Sequence, residues 1–457
     1  MRRHFHLMRY LFVVWVCMTS PLPLTADHFV DASESNIAKS KGSPQALFKM
    51  PAYEYDFTVR ALAFGTYTRA AKTSQNPNND FLNLPRCTAE FELRPDFQLH
   101  FERSDFSVKP RLTVSRSKWE DGSRHGESDT DSELFINEWL ARVRLVNGFF
   151  ASYGRENLQW GPSFLVSPSN PFFRDNGRSN PIREVPGMDF GRLVYAPTWT
   201  WSLSFIANLD QGRNDLQFRN SEFRKTYALK LDHTDSERYA SLILSAREED
   251  RVRLGAYGGV TATDALLLYA EGEISQGTDA LYPTLADNIL GGVMAPTKDD
   301  DTDLSGTLLL GGSYTLEWGP TVTMEYLYNG PGYDDEQADA YFGLRDKAGI
   351  AFELDGPISG LGASILGQTA DPRLRFLRQH YIMVQLLEND IRDILNLTLR
   401  WNQNIDDGSG QLLFWGEYFL GDHLKLFSFG VVNSGGDDTE FGSILDHQIM
   451  MGLEVSF

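Results

Sequence analysis

The stretch that decides the fold runs from Phe149 to Arg192 and reads FFASYGRENLQWGPSFLVSPSNPFFRDNGRSNPIREVPGMDFGR. It starts as an alternating strand, passes Gly154-Arg155 and Trp160-Gly161, and regains alternation only near Met188. Residues 158–187 between are rich in Pro, Asn and Arg. A loop that long inside a compact domain is functional or disordered. The whole stretch holds eight aromatics and five arginines, a composition that suits burial better than disorder. The rest of the chain must therefore supply an interior able to receive it.

The chain has 457 residues. Its first 26 read as a secretory signal, with Arg2, Arg3 and Arg9 ahead of the apolar run Leu11 to Met18 and a small-residue site at Leu24-Thr25-Ala26. Bulky Trp15-Val16 before Cys17 speak against a lipoprotein signal. Residues 1–26 carry three basic and no acidic side chains, so their removal takes the net charge from −20 to −23. That balance argues against nucleic acid as a partner. Cys87 is then the only cysteine left, which rules out an intrachain disulfide. No later segment has the ~18 consecutive apolar residues of a membrane helix. A secreted chain can still enter a membrane as a closed β-barrel, the other spanning solution.

Residues 27–50 read as a short periplasmic segment. From residue 51 to the end, segments of about ten residues with period-2 alternation recur, which is the pattern of transmembrane barrels. In one, Tyr55, Phe57, Val59 and Ala61 oppose Glu54, Asp56, Thr58 and Arg60. In another, Phe91, Leu93, Phe97 and Leu99 oppose Glu90, Glu92, Arg94, Asp96, Gln98 and His100, with Pro95 interrupting one ladder bond. Eighteen such segments are present, and a further hairpin near Gly349 to Leu354 would make twenty. Short links alternate with mostly long ones, as periplasmic turns alternate with extracellular loops. The longest link, 330–376, can hold helices over 339–352 and 358–366 and is a candidate plug. The mean hydropathy of −0.32 fits a wall whose inner face is polar. The expected fold is all-β: a transmembrane, antiparallel, up-and-down barrel of about 18 strands (16–20) over residues 51–457.

If the polar face points inward, strands two to four bring Arg94, Lys109, Arg111, Arg142 and Arg144 to the lumen. Strands eleven to thirteen bring Glu271, Glu273, Glu317 and Glu325. A basic wall opposite an acidic wall would set a transverse field, one way in which pores select; equally, these groups can pair with neighbours and fill a polar interior. The loop 158–187 adds Trp160, Arg174, Arg178 and Arg183, with Phe164, Phe172, Phe173, Asp175 and Glu184. Its phenylalanines are expected to pack against the wall, and one or two of its arginines to face the pore. Arg155 or Glu156 faces inward, depending on whether Gly154 hosts a bulge.

At Tyr153-Gly154-Arg155, Gln159-Trp160-Gly161 and Ser167-Pro168-Ser169-Asn170-Pro171 the chain resembles the Gram-negative outer-membrane porin superfamily. In layout it is similar to the eighteen-stranded alginate-export and capsule-assembly barrels. The resemblance implies an outer-membrane location, contact with membrane lipid and lipopolysaccharide, and a strand running inward into a lumenal loop. The last strand, with Ile449, Met451, Leu453, Val455 and Phe457 on one face, resembles the signal by which such barrels are handed to the barrel assembly machinery. The substrate and the number of subunits are not implied.

Three functions compete for this sequence. The first is a porin-like channel for diffusion or export of small polar or anionic solutes, saccharides among them. The second is a non-conducting barrel that binds or organises surface polysaccharide, plugged by 330–376. The third is an enzyme, against which there is neither a Gly-x-Ser-x-Gly nor a His-Glu-x-x-His pattern. No pattern calls for a cofactor or a metal.

Overall fold

The structure is a computed structural model that describes residues 53–457 apart from 219–221, 250, 297–302 and 355. The signal and the segment 27–50 expected from the sequence lie outside the described residues. The strands are β1 (Tyr53–Ala70), β2 (Cys87–Phe101), β3 (Ser104–Lys118), β4 (Ser128–Val146), β5 (Phe149–Glu156), β6 (Met188–Tyr195), β7 (Trp201–Asp210), β8 (Thr226–Thr234), β9 (Arg238–Arg247) and β10 (Val252–Thr263). They continue as β11 (Leu266–Gln276), β12 (Leu281–Leu285), β13 (Gly292–Pro296), β14 (Leu304–Thr315), β15 (Thr321–Asn329), β16 (His380–Ile391), β17 (Leu395–Asn404), β18 (Gly410–Phe419), β19 (Leu424–Ser434) and β20 (Leu445–Ser456). Two helices, α1 (Asp335–Phe352) and α2 (Pro357–Ala370), lie between β15 and β16.

All strands but β12 and β13 form one 18-stranded sheet. β20 pairs antiparallel with β1, from Arg60 opposite Ser456 to Ala70 opposite Leu445, which closes the sheet on itself. Closure satisfies the backbone without an edge inside hydrocarbon. The pleat then sorts side chains to two faces. On β1, Leu62 and Phe64 point into the lumen and are fully buried, while Tyr55 and Phe57 point outward and are 66% and 58% exposed. The outward face stays apolar around the wall, as at Leu229, Leu244, Leu268, Leu310 and Val384. A soluble sandwich could not leave so many large apolar side chains uncovered.

The ladder between β2 and β3 is broken where two prolines meet. Pairing skips from Leu93–Leu112 to Phe97–Val108 around Pro95, and on the other side of β3 the register with β4 shifts at Pro110. Proline has no N–H to give, so carbonyls lose their partners there. Arg111 replaces them, Nη1 donating to the carbonyls of Pro95 (3.1 Å) and Pro110 (2.8 Å). This sequence-encoded defect fixes an arginine in the wall.

The long connections depart from expectation in one respect. Residues 349–352 lie in α1 rather than a hairpin, and the extra hairpin, β12–β13, sits in the preceding long loop outside the barrel sheet. α1 starts with a capping box, in which Asp334 accepts from the Gln337 N–H and Gln337 accepts from the Asp334 N–H. The helices and the hairpin share an apolar core of Leu281, Met294, Tyr341, Phe342, Ile365 and Leu366. Phe81 from the β1–β2 loop joins it. Together they form a cap at the extracellular end.

Candidate functional site

Residues 157–187 fold into the barrel and touch its inner wall on nearly every side. Next to its origin, Phe172 and Phe173 are buried against Met188, Phe190, Ile206, Ala228 and Ile243 of β6 to β9. Trp160 meets Phe172 edge to face at 5.8 Å, with the Lys230 ammonium 5.5 Å from its ring.

Across the lumen two carboxylates hold the loop. Glu325 on β15 accepts from the backbone N–H groups of Phe164 (2.7 Å) and Leu165 (2.9 Å), and from the Tyr269 hydroxyl (2.7 Å). Glu271 on β11 accepts from the hydroxyls of Ser163 (2.7 Å), Ser167 (2.5 Å) and Ser169 (2.6 Å), and from the Ser169 N–H (3.2 Å). The Trp160-Gly161 turn makes this approach possible. Gly161 has φ +84°, and a Cβ there would fall 2.3 Å from Glu271 Oε2. The loop's contacts with these two carboxylates span more than a hundred residues of sequence.

The loop then crosses to β17, where Arg400 donates to the Arg178 carbonyl (3.0 Å). Arg178 itself donates to the carbonyls of Gly161, Pro162 and Ser163 at 2.7–3.1 Å, closing the loop on itself. Phe164 lies between the two guanidinium groups, 5.0 Å from Arg178 and 5.4 Å from Arg400. Ile182 enters an apolar patch with Leu62, Phe64, Leu413, Phe427 and Met450.

The circuit ends on the basic wall. Arg111 clamps Glu184 through Nε (2.8 Å) and Nη2 (2.9 Å) and also donates to Asp96 (2.8 Å). Asp96 takes a second cation, Arg60, at 2.7 Å. Arg94 donates to Glu92 (2.6 Å) and to the Ile182 carbonyl (3.0 Å). Arg183 makes a two-pronged contact with Glu90 at 2.7 and 2.5 Å. Burial alone would raise the Glu184 carboxyl. The Arg111 hydrogen bonds and the charges of Arg94, Arg111 and Arg60 outweigh it and hold the group at about 2.

The remaining residues singled out in the sequence divide as follows. Lys109 pairs with Glu138 (3.1 Å) and Arg142 with Asp105 (2.7 Å), both lower in the same wall. Arg144 lies 5.7 Å from the Phe150 ring near the β4–β5 turn. Arg174 reaches Asp371 (3.2 Å) behind α2. Glu273 faces inward beside Arg253 (3.8 Å). Two sequence expectations change. Glu317 is not on the wall: it lies exposed in the β14–β15 turn, closed by the Leu316 N–H to the Pro320 carbonyl (2.8 Å). β5 has no bulge at Gly154, so its alternation puts Glu156 inward with Arg192 (3.0 Å) and Arg155 on the opposite face with Asp189 (2.6 Å).

The basic-versus-acidic walls expected from the sequence are thus spoken for. Apart from Arg144 and Glu317, their charges join the loop to the barrel or pair with neighbours. The partners the sequence did not reveal are Arg400 and the serines of Ser163, Ser167 and Ser169. Arg400 stands on a polar alternating face, but three serines in a proline-rich loop carry no distinguishing pattern.

A closed eighteen-stranded antiparallel barrel with a loop folded through its lumen is the fold of the outer-membrane porins. Two solved structures are similar to this chain over most of its length: OccAB1 of Acinetobacter baumannii, with a TM-score of 0.52, 12% identity and coverage of 89% of this chain and 96% of that one, and OprD of Pseudomonas aeruginosa, with a TM-score of 0.50, 9% identity and coverage of 88% and 95%. At such identities the likeness is one of fold. No known family profile matches the sequence, and no curated protein does.

Proposed function

We propose that this chain is an outer-membrane channel of a Gram-negative bacterium, through which small polar solutes diffuse, and that residues 157–187 form its constriction. The observation that carries this is the loop's anchorage inside the lumen by Glu271, Glu325 and Arg111. A loop held at separate points of the wall narrows a barrel without depending on the extracellular cap. The apolar outer band supports placement in the membrane, and the porin fold of the two similar structures supports a channel rather than an enzyme.

The arginines expected to favour anions already face carboxylates or carbonyls, which supports weak charge selectivity. Saccharides and small anions are both within this reading. The test is reconstitution of full-length protein in a planar bilayer. Stepwise currents with weak anion–cation discrimination are expected, and folded protein that carries no current would sink the channel.

One observation favours a second reading, a non-conducting barrel organising surface polysaccharide. The cap is a packed unit, and it reaches the loop through Arg174–Asp371 (3.2 Å) and Arg375–Ser179 (2.6 Å). Binding of polysaccharide to intact cells without solute uptake would decide for it.

A further inference from the structure

Below the Arg111–Glu184 clamp, the inner wall of β2 to β5 encloses a groove of about 290 Å³. From the geometry we infer that it is a binding subsite for an uncharged polyhydroxylated solute of monosaccharide size. This deepens the channel reading and rests on it for its physiological meaning.

Its position follows from the sequence. Lys109 stands two residues before Arg111, one inward position nearer the periplasm, about 7 Å along the strand. The clamped end of the loop therefore roofs the groove. Gln98, Ser107, Glu138 and Arg142 are among the residues that line it.

The charges in the groove choose the ligand. Lys109 Nζ lies 3.1 Å from Glu138. Arg142 lies 2.7 Å from Asp105, which also meets His100 Nδ1 at 3.0 Å. Glu156 is held by Arg192 at 3.0 Å. An anionic solute would have to displace Glu138 or Asp105 from its cation, and a cationic solute would have to displace Lys109 or Arg142. Lys109, Arg142 and Arg192 balance Asp105, Glu138 and Glu156, so no net charge draws an ion of either sign in.

A hydroxyl avoids both conflicts. It donates to a carboxylate and accepts from the neighbouring cation at once, and adjacent hydroxyls on a ring match an adjacent donor–acceptor pair. Lys109, Glu138, Arg142 and Asp105 are 22–47% exposed, so they exchange bound water for ligand without breaking a dry core. The amide of Gln98 and the hydroxyl of Ser107 also line the groove, adding uncharged partners of the same dual kind. The volume sits at the small end of ligand pockets, which suits one sugar ring and excludes a chain of them.

The test is ligand-observed saturation-transfer NMR on the full-length protein in detergent micelles, with glucose, acetate and ethylammonium as probes. Glucose is expected to bind saturably in the millimolar range, and the two ions are not. The double variant Lys109→Met/Glu138→Met leaves net charge unchanged and is expected to weaken glucose binding about tenfold. Ser107→Trp, which fills the groove without touching a charge, is expected to abolish it. Acetate or ethylammonium binding in place of glucose would overturn the inference, as would unchanged glucose binding in both folded variants. Binding is read without current, so the two proposals fail separately. A barrel that binds glucose but does not conduct retains the subsite, and one that conducts without binding glucose loses it.

Discussion

Glu325 offers the sharpest test of the loop's anchorage. In Glu325→Ala the backbone N–H groups of Phe164 and Leu165, which sit 2.7 and 2.9 Å from the carboxylate, lose their acceptor. A main-chain donor cannot rotate to a new partner, whereas the Tyr269 hydroxyl can. Each buried donor left unpaired costs roughly 1–3 kcal/mol. Some water enters the vacated space, so a net loss of about 3 kcal/mol in loop docking is the reasonable figure, and this raises the undocked population roughly a hundredfold. Glu325→Gln keeps one acceptor and turns an NH₂ toward the other N–H, for about half that loss. Glu271→Ala should fall short of Glu325→Ala, because serine hydroxyls reorient. Single-channel recording reads this as excess open-channel noise, in the order Glu325→Ala, Glu325→Gln, native. Limited proteolysis within 157–187 should follow the same order. A folded Glu325→Ala protein with native noise and native protease resistance would refute the anchoring argument.

Three other outcomes are expected. Glu184, held at about 2 when docked, regains an ordinary carboxyl value when the loop is released; a depressed value stabilises docking above that ordinary value, so the stabilisation, roughly 3 kcal/mol, should fade as pH drops from about 4.5 toward 2. Protease susceptibility of the loop against pH checks this, and Arg111→Ala should remove the dependence. Burial and nearby Asp407 raise Glu440, in the last extracellular loop, to about 7. The Glu440 carboxylate accepts from the Leu377 N–H (2.9 Å) and from Asn404 (2.9 Å). Because a raised acid is disfavoured once ionised, this latch should tighten as pH falls through 7; slower intrinsic-rate-corrected amide exchange at Leu377 at pH 8 than at pH 6 would contradict it. Finally, Phe457 is 72% exposed and contributes mainly backbone pairing to Val59, so Phe457→Ala should lower outer-membrane yield in cells while barely changing urea stability of refolded protein.

The barrel was legible in the sequence because lipid outside and a polar lumen inside impose strict alternation, and that signal is local. Tyr55 and Phe57 against Asp56 and Thr58 suffice to place β1. The helices between β15 and β16 were expected over 339–352 and 358–366, beside a competing hairpin near 349–354; the first begins four residues earlier, at Asp335, where Asp334 and Gln337 cap it. The limits lie where alternation is extrapolated or where contacts are distant. Carrying the β14 pattern past Thr315 put Glu317 on the wall, although the Leu316–Pro320 turn ends the strand first. Arg155 stayed a lumen candidate beside Glu156 because one residue of slip at Gly154 reverses every face, and no slip occurs. That the arginines could pair with carboxylates was one of two readings open in the sequence, but which partners they take could not be read. Arg111 finds Glu184 across 73 residues, and Arg178 meets Arg400 across 222. Sequence spacing carries no information at that range.

The loop's circuit also has a mechanical side. An eighteen-stranded cylinder is wide, and a thin wall of that width resists flattening poorly. Residues 157–187 join β3, β11, β15 and β17 through short, directional bonds. They work as cross-ties that make an ovalised cross-section costly when the surrounding membrane squeezes from one side. Cutting the ties should therefore soften the whole cylinder, including strands that the loop never touches.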